Sequence, residues 1–268
     1  NIYSLSRQNC LLAVNLGFIM ASIHLNSVSV NFPIYNFGTR SLKKKFLQLT
    51  TGGVLSDQEK VVFVKSLDKV TLTFNHGDRV GLIGHNGAGK STLLRALASI
   101  YEPVEGTMRC EGKVTSLLNI MLGINPESTG YENIIVRGLL LGLTRKEIQK
   151  KLESIAEFTE LGDYLLAPVR TYSAGMQLRL AFAVVTCIKP DILLMDEMIG
   201  VGDTAFFKKA EQRLNEFIDQ SSSLVLASHS NATIQTLCNK VVLLEKGRVL
   251  YVGTVEEGIE KYDQLNKP

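Results

Sequence analysis

Cysteine is sparse and scattered. The four in 268 residues, Cys10, Cys110, Cys187 and Cys238, make no CxxC pair and no other metal-ligand spacing. That argues against a disulfide framework and against a metal site built from protein ligands alone. Net charge is slight as well, +3 from 29 Lys and Arg against 26 Asp and Glu. So mild a balance gives no reason to expect nucleic acid, although a local basic cluster can still meet a membrane surface. No apolar run is long enough to cross a bilayer. The nearest, Cys10 to Met20, is interrupted by Asn15 and Gly17 and lacks a strongly basic flank. Internal repeats and low-complexity tracts are absent too. The chain opens on Asn1, whereas Met20-Ala21-Ser22 begins the first alternating segment. Residues 1–19 are therefore expected to be upstream translated sequence or a poorly ordered tail, with a short amphipathic anchor as the alternative.

What remains is an ordinary globular composition, 45% hydrophobic, enough for one large α/β domain with or without a helical insertion. Ser22 to Val30 alternates as a half-buried strand does, and Phe32-Pro33-Ile34-Tyr35 is expected to break it. In Arg40 to Leu49, Leu42, Phe46 and Leu49 fall at helical spacing around Lys43, Lys44 and Lys45. This segment reads either as a surface helix packed by its apolar stripe or as a basic amphipathic helix at lipid headgroups. Thr50 to Lys60 reads as a loop. Val61–Val64 and Val70–Phe74 read as two separate strands, and Arg79–Ile83 as a buried one. Short β-patterned runs follow between Gly106 and Leu118. From Gly123 the character turns helical, with Thr144-Arg145-Lys146-Glu147 as a capping box and a further helix over Ser173 to Ile188. Asp191 to Asp196 is a buried strand ending in acids. Helix 204–219, strand 223–228, helix 230–238, strands 240–245 and 248–252 and a last helix after Thr254 complete the chain. Strands alternating with helices predict a mostly parallel sheet covered on both faces, with 123–178 as a helical insertion.

The most specific stretch is Gly84-His85-Asn86-Gly87-Ala88-Gly89-Lys90-Ser91, which matches G-x-x-x-x-G-K-S/T between a strand and a helix beginning near Thr92. Its glycines let successive N–H groups turn inward toward a polyphosphate, and the helix adds its positive end. Lys90 is placed to reach the β- and γ-phosphates and Ser91 to offer its hydroxyl to Mg²⁺. Asp196-Glu197 ends an apolar strand on the edge where open parallel sheets bind ligands. Asp196 suits Mg²⁺, held through water opposite Ser91, and Glu197 suits the attacking water.

Thr171-Tyr172-Ser173-Ala174-Gly175-Met176-Gln177 resembles the LSGGQ signature of ATP-binding-cassette ATPases. The phosphate loop, Asp196-Glu197, Val201-Gly202-Asp203 and the isolated His229 stand in that family's order, and the resemblance spans about residues 22–260. It is closer still to the ATPase subunits that export bacterial O-antigen, capsule or teichoic acid. The segments that carry this closer likeness are Arg40-Ser41-Leu42-Lys43, Asn125 to Ile134, Thr171 to Met176 and Val201-Gly202-Asp203. The resemblance implies a P-loop (RecA-like) α/β core, an N-terminal antiparallel β subdomain and an inserted α-helical subdomain within one nucleotide-binding domain, 20–264. It implies a head-to-tail homodimer with two ATP molecules between the subunits, each touching one chain's phosphate loop and the other's Ser173, Ala174 and Gly175. It also implies His229 on the γ-phosphate and orienting Glu197, Asp203 crossing the interface, and an aromatic on adenine, for which Phe63 and Tyr35 are the candidates. An integral membrane permease would handle the lipid-linked polysaccharide, with this chain peripheral on the cytoplasmic face of the inner membrane.

Three departures stand out. Ala174 replaces a signature glycine and Met176 a glutamine. No glutamine lies between Thr92 and Ile148, so the family's Mg²⁺-sensing glutamine has Asn119 or Ile120 at about its position. A lipid or drug exporter ATPase is the alternative, and a non-transport cassette ATPase is a further one. A catalytically silent ATP sensor fits poorly with intact Lys90, Ser91, Asp196, Glu197 and His229. The final short helix is expected to leave no room for the glycan-binding β-sandwich that some exporters of this subfamily carry.

Overall fold

The computed structural model describes residues 21–34, 62–197 and 204–265. Residues 1–19, the basic segment 40–49, Tyr35 and Val201-Gly202-Asp203 lie outside the described residues, and with them the expectations placed there.

Two sheets stack around the first helix. A three-stranded antiparallel sheet has the order β2 (Val62–Phe74), β1 (Ser22–Ile34), β4 (Glu105–Glu111). A six-stranded sheet has the order β5 (Val114–Ser116), β6 (Ile192–Asp196), β7 (Ser223–Ala227), β3 (Arg79–Ile83), β8 (Lys240–Glu245), β9 (Arg248–Gly253). All its neighbours are parallel except β9, which returns antiparallel on β8. Alternation sends successive residues to opposite faces. Ile192 and Leu194 of β6 join the core under the antiparallel sheet and α1 (Lys90–Leu97). Leu193 and Met195 join the core beneath α4 (Ala174–Val185) and α5 (Thr204–Asp219). Helices α6 (Asn231–Leu237) and α7 (Val255–Leu265) complete that layer.

The β1–β2 ribbon differs from its sequence-based expectation twice. β1 does not stop at Val30; it runs on through Phe32↔Val64, Pro33↔Phe63 and Ile34↔Val62. Pro33 is tolerated because the β4 pairing has ended at Ser29↔Glu105, so β1 has a partner on one side only there. The two short strands expected at 61–64 and 70–74 are one strand, Val62–Phe74. Register shifts between Leu25 and Asn31 break the alternation. Left-handed Ser27 and Lys69, each at φ 53, lie in the same ribbon.

Between β5 and β6 the chain leaves the sheet for α2 (Gly130–Leu140), α3 (Arg145–Thr159) and two 3₁₀ turns, Gly162–Leu166 and Val169–Thr171. Thr129 and Thr144 begin the two helices with reciprocal capping boxes to Glu132 and Glu147. Asn133, wholly buried, secures the entry to α2. Its Oδ1 accepts from the Asn125 N–H at 2.8 Å, and its Nδ2 donates to the carbonyls of Asn125 and Thr129 at 2.9 Å. Among the described residues no helix is long and apolar enough to cross a membrane.

Asn133→Ala strands several buried backbone groups at once and is expected to cost about 2 kcal/mol. Urea unfolding of the variant beside the wild type measures it.

Candidate nucleotide site

The carboxyl ends of β3, β6 and β7 lie level, with Ala227 opposite both Leu82 and Asp196. The loop after β3 therefore opens beside the acids after β6 and the turn after β7. Close backbone packing shapes that loop. Gly84, at φ +144, passes so near β8 that an added Cβ would lie 2.2 Å from the Leu244 carbonyl. Gly89, at φ +108, is the N-cap of α1 and backs onto the Ser66 carbonyl, 2.8 Å from where a Cβ would stand. Gly89 offers no side-chain cap, so the first N–H groups of α1 keep no partner within the helix and face the cleft as anion donors.

Lys90 is largely buried and folds back over the loop, its Nζ donating to the Gly84 carbonyl at 2.5 Å and the His85 carbonyl at 3.1 Å. Burial draws the Lys90 ammonium below its usual range, and the charges of Asp196 and Glu197 push the other way. The resulting cleft holds about 220 Å³. Asn86 to Thr92 form its floor, and Ser66, Asp196, Glu197, Ala227, Ser228 and His229 its walls. A cationic floor beside two carboxylates suits a polyphosphate accompanied by a divalent cation, because the acids alone would repel the anion. Among the described residues no group of three His, Cys, Asp or Glu could hold a metal. Ser91 and Asp196 line the same cleft, and a Mg²⁺ between them would need phosphate oxygens to complete its ligands.

Glu197 stands at φ 63, rare for a residue with a side chain, and its N–H donates to the Ala227 carbonyl at 2.8 Å. Such a backbone outlier at a cleft is one of the places where strain and function coincide. His229 is exposed on the turn between β7 and α6. Two serine caps fix that turn: Ser228 Oγ accepts from the Ser230 N–H at 3.1 Å, and Ser230 Oγ from the Thr233 N–H at 3.3 Å.

The cleft unites loop residues Asn86 to Thr92 with Asp196, Glu197 and His229. Ser173, Ala174 and Gly175 are not among its lining. Ser173 instead caps α4, its Oγ accepting from the Met176 N–H at 3.2 Å, with Ala174 beside it exposed to solvent. Asp203 is outside the described residues. Phe63 is 58% exposed on β2, three residues before Ser66. Asn119 is exposed and away from the cleft lining. Ser66 and Ser228 went unrecognised in sequence. Ser66 Oγ meets Thr92 Oγ1 at 2.7 Å, and a lone serine in a bulged strand carries no signal of that contact.

A phosphate cradle at the carboxyl edge of a parallel sheet, with Asp and Glu at the end of the next strand but one, defines a P-loop nucleoside triphosphatase. The chain belongs to the ABC transporter family, whose profile matches residues 67–200, and is an ATP-binding, ATP-hydrolysing subunit of that family. It is 46% identical to the O-antigen export system ATP-binding protein RfbE of Yersinia enterocolitica, over 86% of this chain and 97% of that one. It is 37% identical to the O-antigen export system ATP-binding protein RfbB of Klebsiella pneumoniae, over 90% and 97%. With the teichoic acids export ATP-binding protein TagH of Shouchella clausii it shares 37%, over 89% of this chain and 64% of that one. Among solved structures, a dimeric ATP-binding cassette in a post-hydrolysis state bound to ADP and Pi matches with a TM-score of 0.61 at 18% identity, over 87% and 98%. An ATP-binding subunit of an ABC transporter matches at 0.63 and 21%, over 92% and 95%. At such identities these two share the fold.

Gly84→Ala must move the loop off β8 to place its methyl group. Nucleotide affinity is expected to fall at least about tenfold, about 1.4 kcal/mol, and isothermal titration with ATP reads it.

Proposed function

We propose that this chain is the ATPase of an exporter that carries a lipid-linked, O-antigen-like polysaccharide across the bacterial inner membrane, working as a homodimer against an integral membrane permease. The observation that carries the reading is the cleft itself, where Lys90, Ser91, Asp196, Glu197 and His229 stand around one phosphate-sized space. The choice of cargo rests on the 46% and 37% identity to proteins named for O-antigen export.

The loop N–H groups and Lys90 hold the β- and γ-phosphates, Lys90 exchanging its loop carbonyls for phosphate oxygens. Ser91 and Asp196 hold Mg²⁺, which neutralises charge on the phosphates when bound. Glu197 accepts a proton from the attacking water, and His229 donates to the γ-phosphate and keeps Glu197 in position. Phe63, exposed near the cleft-lining Ser66, offers a stacking face to the adenine. Ser173 and Gly175 turn the N-terminal end of α4 outward rather than to their own cleft, which supports their use on the nucleotide of a second copy. Residues 20–264 act as one domain in which the insertion at about 123–178 carries that end. On the same insertion Val136, Leu139 and Leu140 are exposed, at 44%, 39% and 69%, as is Leu122 just before it, at 71%. Val136, Leu139 and Leu140 share one face of α2 by helical spacing, which supports contact with a helix of the permease.

Two variants separate the roles. Lys90→Ala is expected to lose tight ATP binding, whereas Glu197→Gln keeps it and slows single-turnover hydrolysis by about a hundredfold or more. Equal loss of binding in both would overturn the assignment. In a cell whose surface glycan depends on this chain, Glu197→Gln is expected to remove surface polymer and leave the lipid-linked form inside. Undiminished surface display would contradict the cargo proposed.

A further inference from the structure

The helical insertion buries a cation that no carboxylate among the described residues accompanies. Arg137 on α2 is only 4% exposed and makes no salt bridge to a described residue. Its Nη2 donates to the Ile120 carbonyl at 2.6 Å, while its buried Nη1 has no acceptor among the described residues. Burial draws the guanidinium down to about 10. If Arg137 served only to fill space, a methionine would fill it without the cost of desolvating a half-satisfied charge.

Its single bond lands on a telling segment. The Leu117 N–H, just past β5, donates to the Leu194 carbonyl at 2.9 Å, two residues before Asp196. The chain then turns, with the Leu122 N–H donating to the Asn119 carbonyl and the Ile124 N–H to the Met121 carbonyl. Arg137 fastens this turn to α2. Gly123, at the end of the turn, also lies against α2, so close to Leu140 that a Cβ would stand 2.9 Å from its Cδ1. The 119–124 turn thus links the end of β5, bonded to β6 two residues before Asp196, to the exposed apolar residues of α2. In the sequence it also covers the place where the family's glutamine is missing.

We propose that Arg137 is a positioning residue that makes the insertion and the nucleotide cleft move together. Its made bond holds the 119–124 turn in the present arrangement. Its spare N–H takes a second backbone carbonyl of that turn when the insertion closes on the nucleotide of a second copy. One guanidinium shared between two carbonyl partners is a two-state element of the kind that long-range coupling requires. The inference rests on the reading of the chain as a dimerising ATPase and adds the residue that links its two moving parts.

The test uses purified full-length chain with Mg²⁺ and ATP. Arg137→Met is expected to melt at or above the wild-type temperature and to bind ATP with a Kd within about twofold. Its kcat should nonetheless fall by on the order of three- to thirtyfold. Amide exchange across 119–124 should respond to ATP in the wild type and stop responding in Arg137→Met. Arg137→Lys, which can still donate to Ile120, should recover most of the turnover. A stable Arg137→Met with wild-type kcat and an ATP-responsive turn overturns the proposal. So does an Arg137→Met that fails to fold while Arg137→Lys is indistinguishable from wild type, since that assigns the residue to stability alone. A wild-type chain that neither hydrolyses ATP nor dimerises would instead refute the underlying functional reading.

Discussion

The phosphate loop is held in shape by contacts between backbones, and the rest of the site depends on that closeness. Gly84 passes against the Leu244 carbonyl of β8 and Gly89 against the Ser66 carbonyl of β2. Neither position has room for a side chain, so the loop is clamped between the two sheets. The clamp turns the unsatisfied N–H groups of α1 toward the cleft and brings Lys90 over the loop carbonyls. Because β3 lies next to β7, and β7 next to β6, the same clamp fixes the distance from those donors to Asp196, Glu197 and His229. Electrostatics then follow from position. Desolvation of Lys90 outweighs the opposing pull of the two acids, and the acids are tolerable beside a polyphosphate only with a divalent cation between them.

Much of this was legible in the residues because the central strands are buried on both faces. Arg79–Ile83 and Asp191–Asp196 read as continuous apolar runs that leave little ambiguity. The glycine pattern and the acids then fall at their carboxyl ends by the ordinary rule for open sheets. Thr144, three residues before Glu147, marks a helix start that its capping box bears out, whereas the like box at Thr129 was not picked out. The antiparallel ribbon was hard to read for an opposite reason. Its bulges near Ser27 and Val30 shift the phase of alternation, so one strand looked like two and Pro33 looked like an end.

Contacts between distant segments were the other blind spot. Ser66 of β2 meets Thr92 of α1, and Arg137 reaches Ile120 from a helix seventeen residues on. Neither pairing has a spacing or composition that marks it. The signature residues illustrate the converse, a motif legible in sequence that the single chain leaves apart from its own phosphate loop. Ser173 is already satisfied as a helix cap, and what it has to offer is the outward-facing first turn of α4.

The claim that one chain's cleft is completed by another chain's Ser173 and Gly175 can be tested by mixing two inactive variants. A Lys90→Ala chain keeps an intact α4 end, and a Ser173→Arg chain keeps an intact phosphate loop. Paired together, they assemble one composite site in which both halves are wild type. Steady-state ATP hydrolysis should therefore be recovered in the mixture, toward half the wild-type rate per mixed dimer, although each variant alone is inactive. A mixture no more active than its separate components, at concentrations where the wild type dimerises, would contradict the composite site.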